Sequence, residues 1–372
     1  MTESRLRIAR LFGIPISVDA SWFLIFALVT FSLASSYFPA RYPHWSPMAY
    51  WIVGLITSLL FFLSVLLHEL AHSLMTQALG QRVRGITLFI FGGVAELEGE
   101  PRRAIDEFLI AAVGPATSVA LGVGFFLLGW LAPVAQVQVA SRYLGFVNIL
   151  LALFNLIPGF PLDGGRILRS LVWAVTGSFT RASRIASGVG EVIAWLFILV
   201  GALLALRGLV FNGLWLAFIG WFLLNAARAS YRQVVLEEVL KNVHVQDCMR
   251  THVPLTSPEE TLASLVKRIL REGERAYLVA ADGRVLGIVT LKDVRKVPPE
   301  VHPVTSVVQI MTPTARLRTV PPSATLWDAF RIMTEEDIHQ IPVVDELHRL
   351  LGLVRRNDIL RHMQMRSELG HM

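Results

Sequence analysis

Cysteine is almost missing: Cys248 is the one thiol in 372 residues, which excludes an internal disulfide and any metal site built from several thiolates. Charge is scarce too. Asp, Glu, Lys and Arg make up 17% of the chain, against about 25% in ordinary soluble domains. Hydrophobic residues make up 54%, and the mean hydropathy is +0.56. The deficit of charge lies in the first two thirds, where apolar runs are long enough to cross a hydrocarbon core, which takes about 20 helical residues. From roughly Glu237 onward the charged residues, turns and short apolar runs of a soluble fold return. A pI of about 9.8 would suggest nucleic acid in a soluble protein. Here the arginines flank apolar spans, where they set topology, and no nucleic-acid partner is expected. No cleavable signal peptide is expected either. The first apolar run follows a basic start (Arg5, Arg7, Arg10), but Ser35-Ser36-Tyr37-Phe38-Pro39 is an indifferent cleavage site, so the first span stays in place.

What is present is a set of long apolar segments. They predict a multi-span α-helical membrane protein of about six transmembrane helices, near Ala20–Tyr37, Met48–Leu79, Ala104–Leu131, Tyr143–Ile157, Ile185–Leu206 and Leu209–Ala227. Val83–Glu98 alternates like a strand or hairpin, with Gly92-Gly93 inside it. With a cytoplasmic N-terminus, most arginines (Arg82, Arg84, Arg102, Arg103, Arg166 and Arg169 among them) fall on the inner side and only Arg41, Arg142 and Arg207 outside. That is the positive-inside bias. An even number of spans then returns the tail to the cytoplasm, so both termini are expected there, in the cell membrane.

Near the end of the second span the chain reads Leu67-His68-Glu69-Leu70-Ala71-His72. Spacing i, i+4 sets His68 and His72 one turn apart on one helix face, so both imidazoles can reach one metal ion. Glu69 lies beside them, placed to take a proton from an activated water. Ionisable residues inside a membrane helix are costly and default to functional candidates. The bland alternative is histidines bonded to neighbouring helices and a snorkelling Glu69. A catalytic zinc usually has three protein ligands. Glu96 and Glu98 are candidates for the third, and Asp163 is the better one. It follows a helix-breaking turn with Pro158 and Pro161 and precedes Gly164-Gly165, which allows close backbone approach. The topology brings it to the depth of the histidine pair.

The His68-Glu69-x-x-His72 helix together with Asn155…Pro161-Leu162-Asp163-Gly164-Gly165 resembles the site-2 protease family of intramembrane metalloproteases. Gly114-Pro115 resembles that family's small-residue motif, and Gly13-Ile14-Pro15-Ile16 with Ser21-Trp22 its usual opening. Asp19 departs from it, since relatives often have histidine there. The likeness covers roughly residues 10–230. It implies one Zn2+ held by His68, His72 and Asp163, with Glu69 as general base and Asn155 as a substrate or oxyanion contact. The implied reaction is peptide hydrolysis in the transmembrane segment of another protein, such as a membrane-bound regulator, within the lipid bilayer.

The tail contains a repeat: Thr261-Leu262 matches Thr325-Leu326, Gly287 matches Gly352 and Asp293 matches Asp358. It resembles a tandem pair of CBS domains, an α/β nucleotide-sensing module, giving a division into 1–236, 237–303 and 304–372. Gly287-Ile288-Val289-Thr290-Leu291-Lys292-Asp293 is similar to the ribose-binding pattern of that module. The likeness implies that Thr290 and Asp293 contact AMP, ADP or ATP, with a weaker site at Asp358 because Arg355 stands where Ser or Thr is usual. The alternative is a pair that binds nothing and serves packing or homodimerisation. For the whole chain, a CBS-regulated transporter or a catalytically silent relative remain rival classes, although no repeat joins the spans and no member of the His-Glu-His set is missing.

Overall fold

The computed structural model describes residues 5–90, 92–97, 99–281, 284–346 and 349–368. The chain divides into two compact units, Met1–Val234 and Val235–Met372.

The first unit opens with strands β1 (Arg5–Leu11) and β2 (Ile14–Asp19), joined by a tight turn in which Phe12 and Gly13 both have positive φ. This hairpin carries the Gly13-Ile14-Pro15-Ile16 sequence, and the basic start is strand rather than a tail. Asp19 then caps α1 (Ala20–Ser32), accepting from the Ser21 backbone N–H at 2.9 Å. A π-helical stretch and the short α2 (Phe38–Arg41) complete the first span. Next comes α3 (Pro47–Ala78), started by Ser46 as N-cap and Pro47 in its first turn. Strands β3 (Val83–Phe89) and β4 (Gly92–Leu97) form an antiparallel hairpin. The four strands lie in sequence order, with β2 and β3 parallel and β4 at an edge. Then follow α4 (Ala104–Leu131), α5 (Ala135–Asn155), the amphipathic α6 (Asp163–Thr176), α7 (Phe179–Leu206) and α8 (Val210–Lys241).

Among the described residues six helices are long and apolar enough to cross a membrane. Three run well past the spans expected from hydropathy: α5 begins at Ala135 rather than Tyr143, α7 at Phe179, and α8 continues to Lys241. Hydropathy reports which residues prefer lipid, whereas a helix continues wherever its i→i−4 bonds can form.

Close approach of the helices depends on small residues, as is usual when lipid gives no hydrophobic drive to associate. The buried face of α4 holds Gly114, Ser118, Gly122 and Gly129, and a Cβ at Gly122 would lie 2.8 Å from Ile149 of α5. A buried ion pair ties α6 to α4. Arg169 donates through Nε to Glu107 at 2.7 Å and through Nη2 to Glu100 at 3.4 Å, between the rings of Phe160 and Phe179. Removing one member leaves a bare buried charge, which costs ~3–5 kcal/mol. Arg169→Leu is therefore expected to lower the thermal unfolding midpoint in detergent sharply, and Arg169→Leu with Glu107→Leu to recover part of the loss. A double variant no better than the single one would disprove this account.

The second unit repeats one pattern. Helix α9 (Leu262–Glu272), capped by Thr261, precedes hairpin β6 (Ala276–Ala281) and β7 (Arg284–Thr290), then α10 (Leu291–Val294). Helix α12 (Leu326–Glu335), capped by Thr325, precedes β9 (Gln340–Val344), β10 (Leu350–Arg355) and α13 (Arg356–Glu368). Strand β5 (Leu255–Thr256) flanks β6 in parallel, and after α11 (Val307–Ile310) strand β8 (Thr312–Pro313) flanks β7. Each half has its own apolar core, around Leu262, Leu265 and Tyr277 in one and Leu326, Met333 and Val343 in the other.

Candidate metal centre and nucleotide-site residues

Helix α3 is apolar, so its buried polar side chains stand out: His68 and His72 are 3% and 4% exposed. Their Nε2 atoms lie 3.1 Å apart. The turn after α5 brings Asp163, first residue of α6, onto this pair. Its Oδ2 is 3.1 Å from His68 Nε2 and 3.2 Å from His72 Nε2. Among the described residues this is the one cluster of three such donors. Backbone packing fixes that approach, because a Cβ at Gly164 would overlap the carbonyls of Leu156 and Ile157, and one at Gly165 the Gly159 backbone.

The outer ring nitrogens are also committed. His72 Nδ1–H donates to the Ile110 carbonyl at 2.6 Å, and His68 Nδ1 bonds Ser118 Oγ at 2.9 Å. A carbonyl only accepts, so a neutral His72 carries its proton on Nδ1 and turns the Nε2 lone pair inward. With His68 Nδ1–H likewise donating to Ser118 Oγ, three acceptor atoms would converge, an arrangement suited to a bound cation. Tetrahedral zinc with bonds near 2.0–2.1 Å separates its donors by about 3.3 Å, close to the 3.1–3.2 Å seen here. The donor set and its outer hydrogen bonds fit zinc.

Gly114 of α4 faces the imidazoles: a Cβ there would overlap His72 Nε2 and come within 2.8 Å of His68 Nε2. Gly93 of β4 does the same for Glu69, whose Cγ a Cβ would overlap. A cavity of about 250 Å³ opens here, lined by Glu69, the three donor residues, Gly93 to Ala95, Asn155, Pro161 and Arg166. Glu69 and Asn155, singled out in the sequence, are thus in the same cavity as the donors. Glu96 is not among its lining residues, and Glu98 lies outside the described residues. Sequence reasoning missed Ser118, the Ile110 carbonyl and the cavity position of Arg166. A backbone carbonyl has no sequence signature, but Arg166 at i+3 from Asp163 shares its helix face and could have been found.

In the second unit Thr290 and Asp293 form a capping box, with Thr290 Oγ1 donating to Asp293 Oδ2 at 2.6 Å. Asp358 is held differently. Arg250 grips its carboxylate from Nε at 3.0 and 3.1 Å and from Nη2 at 2.7 Å, and the residue is 8% exposed. The repeat explains the asymmetry. Met311-Thr312 lies over Gly287 as Met249-Arg250 lies over Gly352, so the first half has a threonine where the second has the arginine. Cys248, packed beside Asp358, is a poor nucleophile, since burial and then the charges of Asp358 and Asp247 push its thiol up to about 11.

The profile of peptidase family M50 matches residues 56–141 and 131–199, and that of the CBS domain matches 245–300 and 307–364. A relative from Synechocystis named as a zinc metalloprotease is 36% identical over 366 residues, covering 97% of this chain and 96% of its own length. The zinc metalloprotease MJ0392 of Methanocaldococcus jannaschii is 27% identical over 292 residues, 78% of this chain and 79% of that protein. The solved site-2 protease of that organism aligns with 61% of this chain and 95% of its own, at 26% identity and TM-score 0.42. The extent of the Synechocystis match and the M50 profile decide the matter: the chain belongs to peptidase family M50, the site-2 protease family of membrane zinc metalloproteases, and carries a tandem CBS pair behind its spans.

Proposed function

We propose that the protein hydrolyses peptide bonds within the transmembrane segments of other membrane proteins, membrane-bound regulators for example. In this reading His68, His72 and Asp163 hold one zinc and Glu69 is the general base. The observation that carries it is the triangle of inward-facing donors sharing one cavity with Glu69. Zinc held there would supply Lewis acidity, lowering the pKa of a water towards ~7 and polarising a carbonyl. Glu69 would take a proton from the water that attacks the scissile carbonyl and hand it to the leaving amine. Asn155, on the same wall, donates to the substrate backbone. A transmembrane substrate hides its carbonyls in i→i−4 bonds, so it must unwind before attack. Among the described residues no strand covers the outer side of β4, whose Gly93 to Ala95 line the cavity. An unwound segment can add to that edge as a strand.

The test uses purified protein in liposomes with single-span test proteins and mass-spectrometric mapping of the new ends. Cuts inside the span, lost together with bound zinc in Asp163→Asn, support the reading. Cuts confined to extramembrane loops would overturn it.

The tail is read as a regulator that binds an adenine nucleotide in its first half, through Thr290 and Asp293, while the Arg250 clamp closes the Asp358 half. A ligand at about 100 times its Kd stabilises the folded form by about 2.7 kcal/mol. AMP, ADP or ATP is expected to raise the unfolding temperature of the CBS unit in the full-length protein. Asp293→Asn should abolish the rise and Asp358→Asn leave it. The reverse pattern would refute the assignment. Homodimerisation of this unit belongs to the same reading, and Leu270 and Val304 are apolar residues it leaves exposed, 80% and 81% accessible. The arginine bias of the loops and the even number of spans support a location in the cell membrane with both termini in the cytoplasm.

A further inference from the structure

Helix α6 carries two arginines one turn apart in opposite circumstances. Arg169 is committed to the fold, bonded to Glu107 and Glu100 between two aromatic rings. Arg166 is half-buried on the cavity wall. Among the described residues its guanidinium makes no hydrogen bond or ion pair, although it stands close enough to Glu69 to interact with its charge. A guanidinium has five N–H donors and stays protonated. Leaving it unpaired beside apolar helices is costly. The backbone that carries it is held in place, since Asp163 lies three residues earlier on the same face and the start of α6 is packed backbone to backbone at Gly164 and Gly165.

The other ionisable side chains lining the cavity are carboxylates and imidazoles, so Arg166 is the permanently charged cation among its lining residues. Peptide hydrolysis is a reaction that calls for one. Water adds oxygen to the carbonyl carbon, the C–N bond breaks, the amine leaves with a proton, and the neutral amide becomes a carboxylate. Arginine's fork of donors matches a carboxylate bidentately. We propose that Arg166 contacts the substrate directly, binding the scissile carbonyl oxygen as charge develops on it and then the carboxylate at the new C-terminus of the N-terminal product. Arg166 keeps all its protons throughout, and proton transfer stays with Glu69. The proposal rests on the hydrolytic reading above.

The test uses full-length zinc-loaded protein in detergent carrying Glu69→Gln, so that nothing turns over. The probes are an N-acetylated tetrapeptide of alternating alanine and leucine with a free C-terminal carboxylate, and its C-terminal amide. The carboxylate form is expected to bind at least ~10-fold more tightly. Arg166→Gln should cut that ratio at least ~5-fold with zinc per chain unchanged, and Arg166→Lys, which keeps the charge but not the fork, should fall between. With Glu69 restored, Arg166→Gln should lower kcat more than it raises KM, and millimolar guanidinium ion should recover part of the loss in Arg166→Ala. An unchanged carboxylate preference in Arg166→Gln overturns the proposal. So does loss of zinc in both the Gln and Lys variants, which would make Arg166 a structural residue. Failure of the hydrolytic reading would appear separately, as absence of cleavage by protein that still prefers the carboxylate peptide through Arg166.

Discussion

Glu69→Gln is expected to lower turnover by ~10³-fold or more while leaving one zinc per chain in place. Glutamine keeps the length, planarity and hydrogen-bonding reach of the side chain but cannot accept a proton. A positioned general base contributes roughly 10²–10⁴-fold, and in the proposed reaction the same carboxylate also returns the proton to the amine. The substitution is a clean one because the surroundings of Glu69 are built for its shape. Gly93 lets β4 pass so near its Cγ that no larger residue fits there, and the donor triangle is assembled from other side chains. Zinc content separates the outcomes. Normal zinc with lost cleavage assigns the base. Turnover above about a tenth of the unsubstituted rate would remove Glu69 from the chemistry, and loss of zinc would mean that its contribution is to the fold of the site.

How much of this was readable beforehand follows from what each signal encodes. The His68–His72 spacing is a local property of one helix, so sequence alone puts both on one face. Asp163 was legible for a different reason: Pro158, Pro161, Gly164 and Gly165 mark a chain reversal, and the depth argument brings that reversal to the histidines. Span number was legible and span length less so, because Ala135–Arg142 is too polar to read as a membrane core yet continues α5. The partners that hold the imidazoles were not legible. Ser118 and the Ile110 carbonyl lie on another helix at separations of 50 and 38 residues, and no periodicity reports which faces of two helices meet. The tail shows the same limit. The repeat revealed Asp358, but the arginine that occupies its carboxylate comes from 108 residues earlier. Only the pairing of Arg250 with Leu353 brings it there.

Gly114→Ala is expected to weaken zinc binding at least ~100-fold and abolish cleavage, although it adds a single methyl group and raises intrinsic helix propensity. Alanine favours a helix over glycine by about 1 kcal/mol, so propensity alone predicts a neutral or stabilising change. Position decides otherwise. The added Cβ would overlap His72 Nε2 and sit 2.8 Å from His68 Nε2, a distance that ordinary carbon contacts do not reach. The methyl cannot swing aside, so the imidazoles must move. Their freedom to do so is small, because His72 is anchored to the Ile110 carbonyl and His68 to Ser118, both on the helix that carries Gly114. Any shift that clears the methyl breaks those anchors or opens the donor triangle, and loss of an outer anchor by itself typically costs 10–100-fold in metal affinity. Gly124→Ala is the matched control. It lies on the same helix with no neighbour within 4 Å of a built Cβ, so it should hold zinc normally and unfold at the same or a slightly higher temperature. Zinc titration of the two purified variants reads the difference directly, and a Gly114→Ala protein with unaltered affinity would mean that the donor atoms do not meet beneath α4 as described.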